Sequence, residues 1–345
     1  MKILITGTDG YIGCIVAPLL LREGFDLVAV DTGYYKTGWL FNGAAQSART
    51  IAKDIRNISK DDLFGCKAVV HLAELSNDPT GQLAPHITHE INHKASVRLA
   101  TLAKEAGVER FVYMSSCSVY GVANSPQAVT EESPVNPQTA YAECKVLVER
   151  DLKPMAAANF SPTFLRNATA FGASPRQRFD LVLNNLAGLA YTIRKIAMTS
   201  DGTPWRPLVH IQDMAKAILC VLRAPKDVVH NRTFNVGSSE QNYQVKDIAT
   251  IVGKAFPGCE VTFGTSGADN RSYRVNFDRI TNELPGFKCE WDAQRGAQQF
   301  AELFDRIKMT KDEFESRGFT RLKQLEYLIK TGQIDNNFFW TKPAN

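Results

Sequence analysis

The amino-acid sequence predicts an α/β fold: a doubly wound parallel sheet followed by a smaller C-terminal portion. Three observations carry this. Apolar runs of strand length alternate with segments of helical periodicity through the first half of the chain. The opening run, Lys2-Ile3-Leu4-Ile5-Thr6, passes directly into Gly7-x-x-Gly10-x-x-Gly13. Gly24, Gly107, Gly258 and Gly332 stand where helices should stop.

Taken in order, strands are expected at 2–6, 27–30, 68–72, 110–114 and 162–166, all short and rich in Val, Ile, Leu and Phe. Near-continuous apolar strands separated by helices imply a parallel sheet covered on both faces. Helices are expected at 12–23, 85–106, 140–157, 179–191, 212–222, 245–255 and 321–330. After Arg166 the rhythm loosens and Gly, Pro and Arg gather at 172–178 and 202–207, where a substrate-binding portion should begin. The division expected is 1–166, with a returning segment near 208–237, and 167–345. Leu322, Leu325, Leu328 and Ile329 form a helical stripe followed by Phe338-Phe339-Trp340, read as a docked terminal helix or a subunit interface.

Bulk properties narrow the function. The 345 residues suffice for a large core, and 40 Lys and Arg against 36 Asp and Glu contain no long run of one sign. Nucleic acid is therefore not the expected partner. No apolar stretch approaches about 20 residues, and no basic leader precedes the first strand, so a soluble cytoplasmic protein without a membrane partner is expected. Seven scattered cysteines without Cys-x-x-Cys spacing read as reduced thiols.

The glycine turn carries the first chemical information. A strand that turns sharply into a helix points amide N–H groups at a ligand, and Gly7, Gly10 and Gly13 remove side chains that would block a pyrophosphate, with Tyr11 and Ile12 between them. Asp31 ends the next strand, where a carboxylate accepts hydrogen bonds from ribose hydroxyls and repels a 2′-phosphate; this favours NAD over NADP. Tyr141 and Lys145 share one helical face. A Tyr-x-x-x-Lys pair arises about once by chance in a chain this long, so its weight comes from the glycine turn. A phenol with a pKa near 10 needs roughly 4 kcal/mol of help to serve as a base near pH 7, which a lysine and an oxidised nicotinamide can supply together. Ser115-Ser116 ends the strand before that helix and offers a hydroxyl for the same substrate oxygen.

These residues resemble the extended short-chain dehydrogenase/reductase family, in its nucleotide-sugar epimerase and dehydratase branch, from the first strand to about Ile280. The resemblance rests on the glycine turn, Asp54-Ile55, His71-Leu72-Ala73, Ser115 through Gly121, the Tyr141/Lys145 pair, and Trp205 through Asp213. It implies a Rossmann domain with bound NAD, a nucleotide-diphosphate sugar as substrate, and a homodimer formed through the Tyr-bearing helix. It further implies that Asp54 and Ile55 contact adenine, that Leu72 and Ala73 line the cofactor groove, and that Ser116, Tyr141 and Lys145 are catalytic. Arg206 and Arg274 match the arginines that bind the diphosphate, a task suited to guanidinium. Asn92 matches the asparagine that organises the active-site helix.

Departures bear on the reaction. The 4,6-dehydratases carry Asp then Glu after the catalytic hydroxyl, where this chain has Cys117 and Ser118, which argues against dehydration. Thr169 stands where the family often has Asn, beside Asn167, and Glu74 replaces a small residue after His71-Leu72-Ala73. Glu74 is read either as a sugar contact or as part of a solvated loop, and Cys117 as a space-filling residue. His89-Glu90-Ile91-Asn92-His93 formally matches a zinc signature, but its histidines lie about 200° round the helix from Ile87 and Ile91, so no metal is expected. The reading is an NAD-dependent epimerase acting at C4 through a 4-keto intermediate. The alternatives are a 4-ketoreductase or C4 dehydrogenase of a deoxysugar or heptose, and a non-catalytic NAD-sensing protein.

Overall fold

The computed structural model describes residues 1–43, 49–122, 127–265 and 272–342. Twelve strands are β1 (Lys2–Thr6), β2 (Asp26–Asp31), β3 (Thr50–Ala52), β4 (Ala68–His71), β5 (Arg110–Ser116), β6 (Ser161–Asn167), β7 (Thr169–Phe171), β8 (Lys195–Ala197), β9 (Trp205–His210), β10 (Arg232–Val236), β11 (Asn242–Gln244) and β12 (Glu260–Thr262). The α-helices are α1 (Gly13–Arg22), α2 (Asp78–Leu83), α3 (Pro85–Thr88), α4 (Ser96–Glu105), α5 (Ala140–Leu152), α6 (Val182–Thr192), α7 (Ile211–Arg223), α8 (Lys226–Val229), α9 (Val245–Ala255), α10 (Asp278–Glu283), α11 (Ala293–Ile307), α12 (Lys311–Glu315) and α13 (Arg321–Lys330). Among the described residues no helix is long and apolar enough to cross a membrane.

The main sheet has seven strands in the order β10-β6-β5-β4-β1-β2-β3, all parallel. Alternate side chains of one strand go to opposite faces. Ile3 and Ile5 of β1, Val112 and Met114 of β5 pack with α1 and α7 on one side. Leu4, Phe111 and Tyr113 pack with α4, α5 and α13 on the other. The chain runs β1 to β2 to β3 in one direction and then crosses back to β4, so β1 and β4 flank the point where strand order reverses. Ligands of open parallel sheets bind at the carboxyl ends of such strands. Gly7 follows β1 there, and Leu72 follows β4.

The C-terminal portion has its own core, built from α6, α9 and α11 with β8, in which Phe256, Phe300 and Phe304 are buried. A three-stranded sheet, β11-β9-β7, lies between this core and the main sheet, and β10 returns to the main sheet beside β6. The expected helix at 85–106 is divided: α3 leads into a π-helical segment, His89–Ala95, before α4 begins. A π segment widens the turn and is common near functional sites. The helix expected from 179 starts at Val182, after Leu181 in an extended conformation. The stripe of the terminal helix docks: Leu325 and Leu328 are buried against the main sheet with Phe338.

Candidate active site

The glycine turn is shaped by close packing. The Gly7 amide donates to the Val30 carbonyl at 2.8 Å, with φ +79°. A Cβ on Gly13 would lie 2.0 Å from the Gly7 carbonyl oxygen, so α1 can start this close to the strand end only with glycine there. Gly7, Gly10, Ile12 and Gly13 line a pocket that continues past Asp31, Asp54, Ile55, Leu72 and Ala73. The Asp31 carboxylate accepts N–H bonds from Gly33 at 2.7 Å and Asp9 at 3.0 Å. Burial pushes its pKa up to about 6 against those two amides.

Asp54 and Tyr11 line the same pocket, and each is also bonded within the chain. Asp54 turns its carboxylate to Arg56, which donates through both its backbone and its guanidinium, so this side chain caps a turn. The Tyr11 hydroxyl donates to the Gly172 carbonyl at 2.7 Å and accepts from Asn184, pinning the glycine turn to the C-terminal portion.

A hydrogen-bond chain fixes the Leu72-Ala73 loop. Thr6 Oγ1 accepts from the Leu72 and Ala73 amides and lies 2.7 Å from His71 Nδ1; His71 Nε2 lies 2.7 Å from Ser96 Oγ, which donates to the Asn92 carbonyl. Only a neutral ring that carries its proton on Nε2 satisfies this sequence of donors and acceptors. Burial, aided by the Lys145 charge, holds its pKa down to about 3. Asn92, in the π segment, closes the loop by exchanging two bonds with the Leu75 backbone. His89 and His93 lie against α5, at 3.5 Å from Glu143 and 2.7 Å from Asp151, rather than pointing into solvent.

A second cleft, of about 620 Å³, adjoins the first pocket through Ile12, Leu72, Glu74 and Ser76. Ser116, Tyr141, Lys145 and Arg206 all line it. Thr139 caps α5 by accepting from the Ala142 amide and so sets Tyr141 in the first turn, with Lys145 Nζ 5.3 Å from the Tyr141 ring centre. Burial pushes the Tyr141 phenol above its ordinary value; the Lys145 charge and a hydrogen bond from Ser116 pull it down, while Glu74 and Asp78 oppose them. Arg274 is not in the cleft wall. Its guanidinium stacks over Trp205, the neighbour of Arg206, at 5.4 Å, and the adjacent Tyr273 lines the cleft.

Glu74 lines the cleft but is not part of a solvated loop. Its carboxylate forms a buried ion pair with Lys145, both side chains 4% exposed, and accepts from the Tyr113 hydroxyl at 2.7 Å. Lys145 also donates to the Met114 carbonyl. Burial works against the Lys145 charge, but Glu74 together with Tyr141 more than restores it. The ammonium is therefore anchored beside Tyr141 rather than projecting alone.

Asp180, another wall residue, had no sequence motif to announce it. Asp180 takes a bidentate bond from Arg178 and one from Asn77, tying the loop after β4 to the segment before α6. Asn167 lines the cleft with a buried Oδ1 that has no partner. Cys117 is 1% exposed, with its thiol 3.1 Å from the Arg166 carbonyl, and burial pushes that thiol well above its ordinary range. It packs beneath the site and does not line it.

The NAD dependent epimerase/dehydratase family matches residues 3–237. A UDP-glucose 4-epimerase of Corynebacterium glutamicum is 30% identical over 268 residues, covering 73% of this chain and 79% of that protein. Among solved structures, MoeE5 in complex with UDP-glucuronic acid and NAD aligns with TM-score 0.77 and 25% identity over 89% of this chain and 99% of that one. The NDP-hexosamine 5,6-dehydratase TunA, at 23% identity over 88% and 98%, shares the fold with TM-score 0.78.

Proposed function

The chain belongs to the NAD-dependent epimerase/dehydratase family, and from that premise we propose that it is a nucleotide-sugar 4-epimerase. Its cofactor is NAD, and the pocket fits it: glycines leave the turn bare, and the Asp31 carboxylate stands where ribose hydroxyls would donate. The observation that carries the proposal is the convergence of Ser116, Tyr141, Lys145 and Arg206 on one cleft that opens into that pocket.

In this reading Arg206 takes the diphosphate by charge-assisted bonds, with Arg274 behind it through Trp205. The sugar then lies over Tyr141, whose phenolate removes the proton from the C4 hydroxyl, while Ser116 orients that oxygen. Lys145, anchored by Glu74, lowers the energy of the phenolate. Bound NAD supplies a hydride acceptor that can return what it takes. The 4-keto sugar turns in the cleft so that the returned hydride would reach the opposite face of C4, which inverts that carbon, while Tyr141 gives the proton back to O4.

Epimerisation is preferred to dehydration for a reason specific to this chain. Removal of water across C5 and C6 needs an acid and a base beside the sugar. Cys117 is buried away from the cleft, and Ser118 offers only a hydroxyl. The cleft carboxylates are tied elsewhere: Glu74 to Lys145, Asp180 to Arg178, and Asp78 to the Thr139 hydroxyl. We also propose a homodimer packed through α5, as the family resemblance implies; a monomer in sedimentation would contradict it.

Mass spectrometry of nucleotides released by denaturing the purified protein tests the proposal. Near-equimolar NAD or NADH is expected of an epimerase that keeps its cofactor. An empty site or bound NADPH would instead support a reductase or dehydrogenase that exchanges cofactor each turnover.

A further inference from the structure

The dinucleotide pocket contains a positive charge that the glycine turn does not account for. Arg321, the first residue of α13, is 3% exposed and lines the pocket together with Gly7, Gly10 and Asp31. Its guanidinium lies 4.1 Å over the Tyr35 ring, and among the described residues it has no hydrogen-bonded or ion-paired partner. The other two buried arginines nearby are bonded within the chain, though Arg176 Nε has no partner among the described residues. Arg176 donates to the Lys36 and Gly38 carbonyls, and Arg178 pairs with Asp180.

A buried charge without a counter-ion is costly and marks a place where an anion is missing. Asp31 and Asp180 oppose that cost from a distance, but Asp31 is bonded to two amides and Asp180 to Arg178, and neither bonds the Arg321 guanidinium. Arg178 is itself a cation, and together with burial it pushes the Arg321 pKa down to about 10, so the group remains charged at neutral pH. Its field reaches Tyr11 and Cys14, on either side of Ile12 and Gly13 at the start of α1, as well as Asp31.

The position is built, not accidental. α13 is fixed by Leu325 and Leu328 in the core and by Gln324, which donates to the Tyr34 carbonyl at 3.0 Å. Beyond it, Trp340 Nε1 donates to the Thr32 carbonyl at 2.7 Å. Thus the end of the chain is seated on the loop after β2, the wall of the pocket, and it lies outside the segment 3–237 that matches the family.

We propose that Arg321 is a cofactor-binding residue, whose guanidinium clamps the pyrophosphate of the dinucleotide from the side opposite the glycine turn. The inference rests on the NAD reading above. It favours the pyrophosphate over a 2′-phosphate because Asp31 would repel the latter. It also implies that the C-terminal helix covers bound cofactor and slows its exchange.

The test uses the full chain, first freed of retained nucleotide, as wild type, Arg321→Gln and Arg321→Lys, titrated calorimetrically with NAD, NADP, ADP-ribose and adenosine. Melting temperatures without nucleotide are recorded in parallel. For Arg321→Gln, NAD and ADP-ribose should bind at least about tenfold more weakly, as loss of a charge-assisted contact predicts. Adenosine, which has no phosphate, should change less than about twofold, and Arg321→Lys should fall between. The nucleotide-free variant should melt no lower than wild type, since an uncompensated charge has been removed. NAD and ADP-ribose binding unchanged in Arg321→Gln, or selective loss of NADP alone, would overturn the clamp. So would a lower nucleotide-free melting temperature with parallel weakening of adenosine, the pattern of a structural role through Tyr35. Failure of the wild type to bind any dinucleotide would instead overturn the NAD reading on which the clamp rests.

Discussion

Replacing Glu74 with glutamine removes the carboxylate that touches Lys145 while leaving an amide oxygen to accept from Tyr113. Both members of the ion pair are 4% exposed, so solvent cannot take over the lost partner, and the ammonium is left with the Met114 carbonyl. Deleting one partner of a buried pair costs about 3–5 kcal/mol. At roughly 2 °C per kcal/mol for a chain of this size, the nucleotide-free melting temperature should fall by about 6–10 °C. The same change acts on catalysis with a predictable sign. Glu74 raises the Tyr141 pKa, and the base works as the phenolate, so its removal shifts the acid limb of kcat/KM to lower pH. Thermal melts and a pH-rate profile measure both effects. Combining Glu74→Gln with Lys145→Met isolates the pair, because the double variant should lose less stability than the two single losses summed. An unchanged melting temperature with an acid limb that stays in place or moves to higher pH would refute this account of how the lysine is held.

Tyr141→Phe should lower kcat by about a thousandfold or more while NAD remains bound, measured by turnover and by nucleotide content after purification. Gly13→Ala places a methyl 2.0 Å from the Gly7 carbonyl oxygen, so the turn must shift; a loss of about 1–3 kcal/mol of stability and of bound nucleotide is expected from melting and mass spectrometry. NAD affinity should weaken as pH falls through about 6, because protonated Asp31 accepts poorly from ribose hydroxyls. Calorimetry at two pH values checks this, and Asp31→Asn should flatten the dependence.

The parts of this protein that are legible in its sequence are those decided locally. The first strand, the glycine turn and the helices at 245–255 and 321–330 follow from apolar period and end residues, and the structure gives α9 and α13 those same bounds. α11 carries equally local signals. Asp292 caps it, and Ala293, Ala297, Phe300 and Phe304 form its buried stripe. The three-residue strands β3, β7 and β8 are too short to show a period, and they exist because neighbouring strands pair with them.

In the site, Tyr141, Lys145 and Ser116 were visible because they share a helix or end a strand. Glu74 was ambiguous, because its partner lies far along the chain and nothing local says that a carboxylate after Ala73 will be buried. Arg321 gave no sign for a similar reason. On a helix stripe it reads as a solvated charge, and only the docking of α13 onto the loop after β2 turns it into the pocket.

The most direct test of the central claim is to incubate the purified protein, without added cofactor, with a panel of nucleotide-diphosphate sugars each carrying deuterium at C4. The 4-epimer should form with the deuterium retained at C4, since the hydride is taken and returned within one site. Loss of deuterium with a released 4-keto sugar and accumulated NADH, or a 6-deoxy product, would contradict a redox-neutral epimerase.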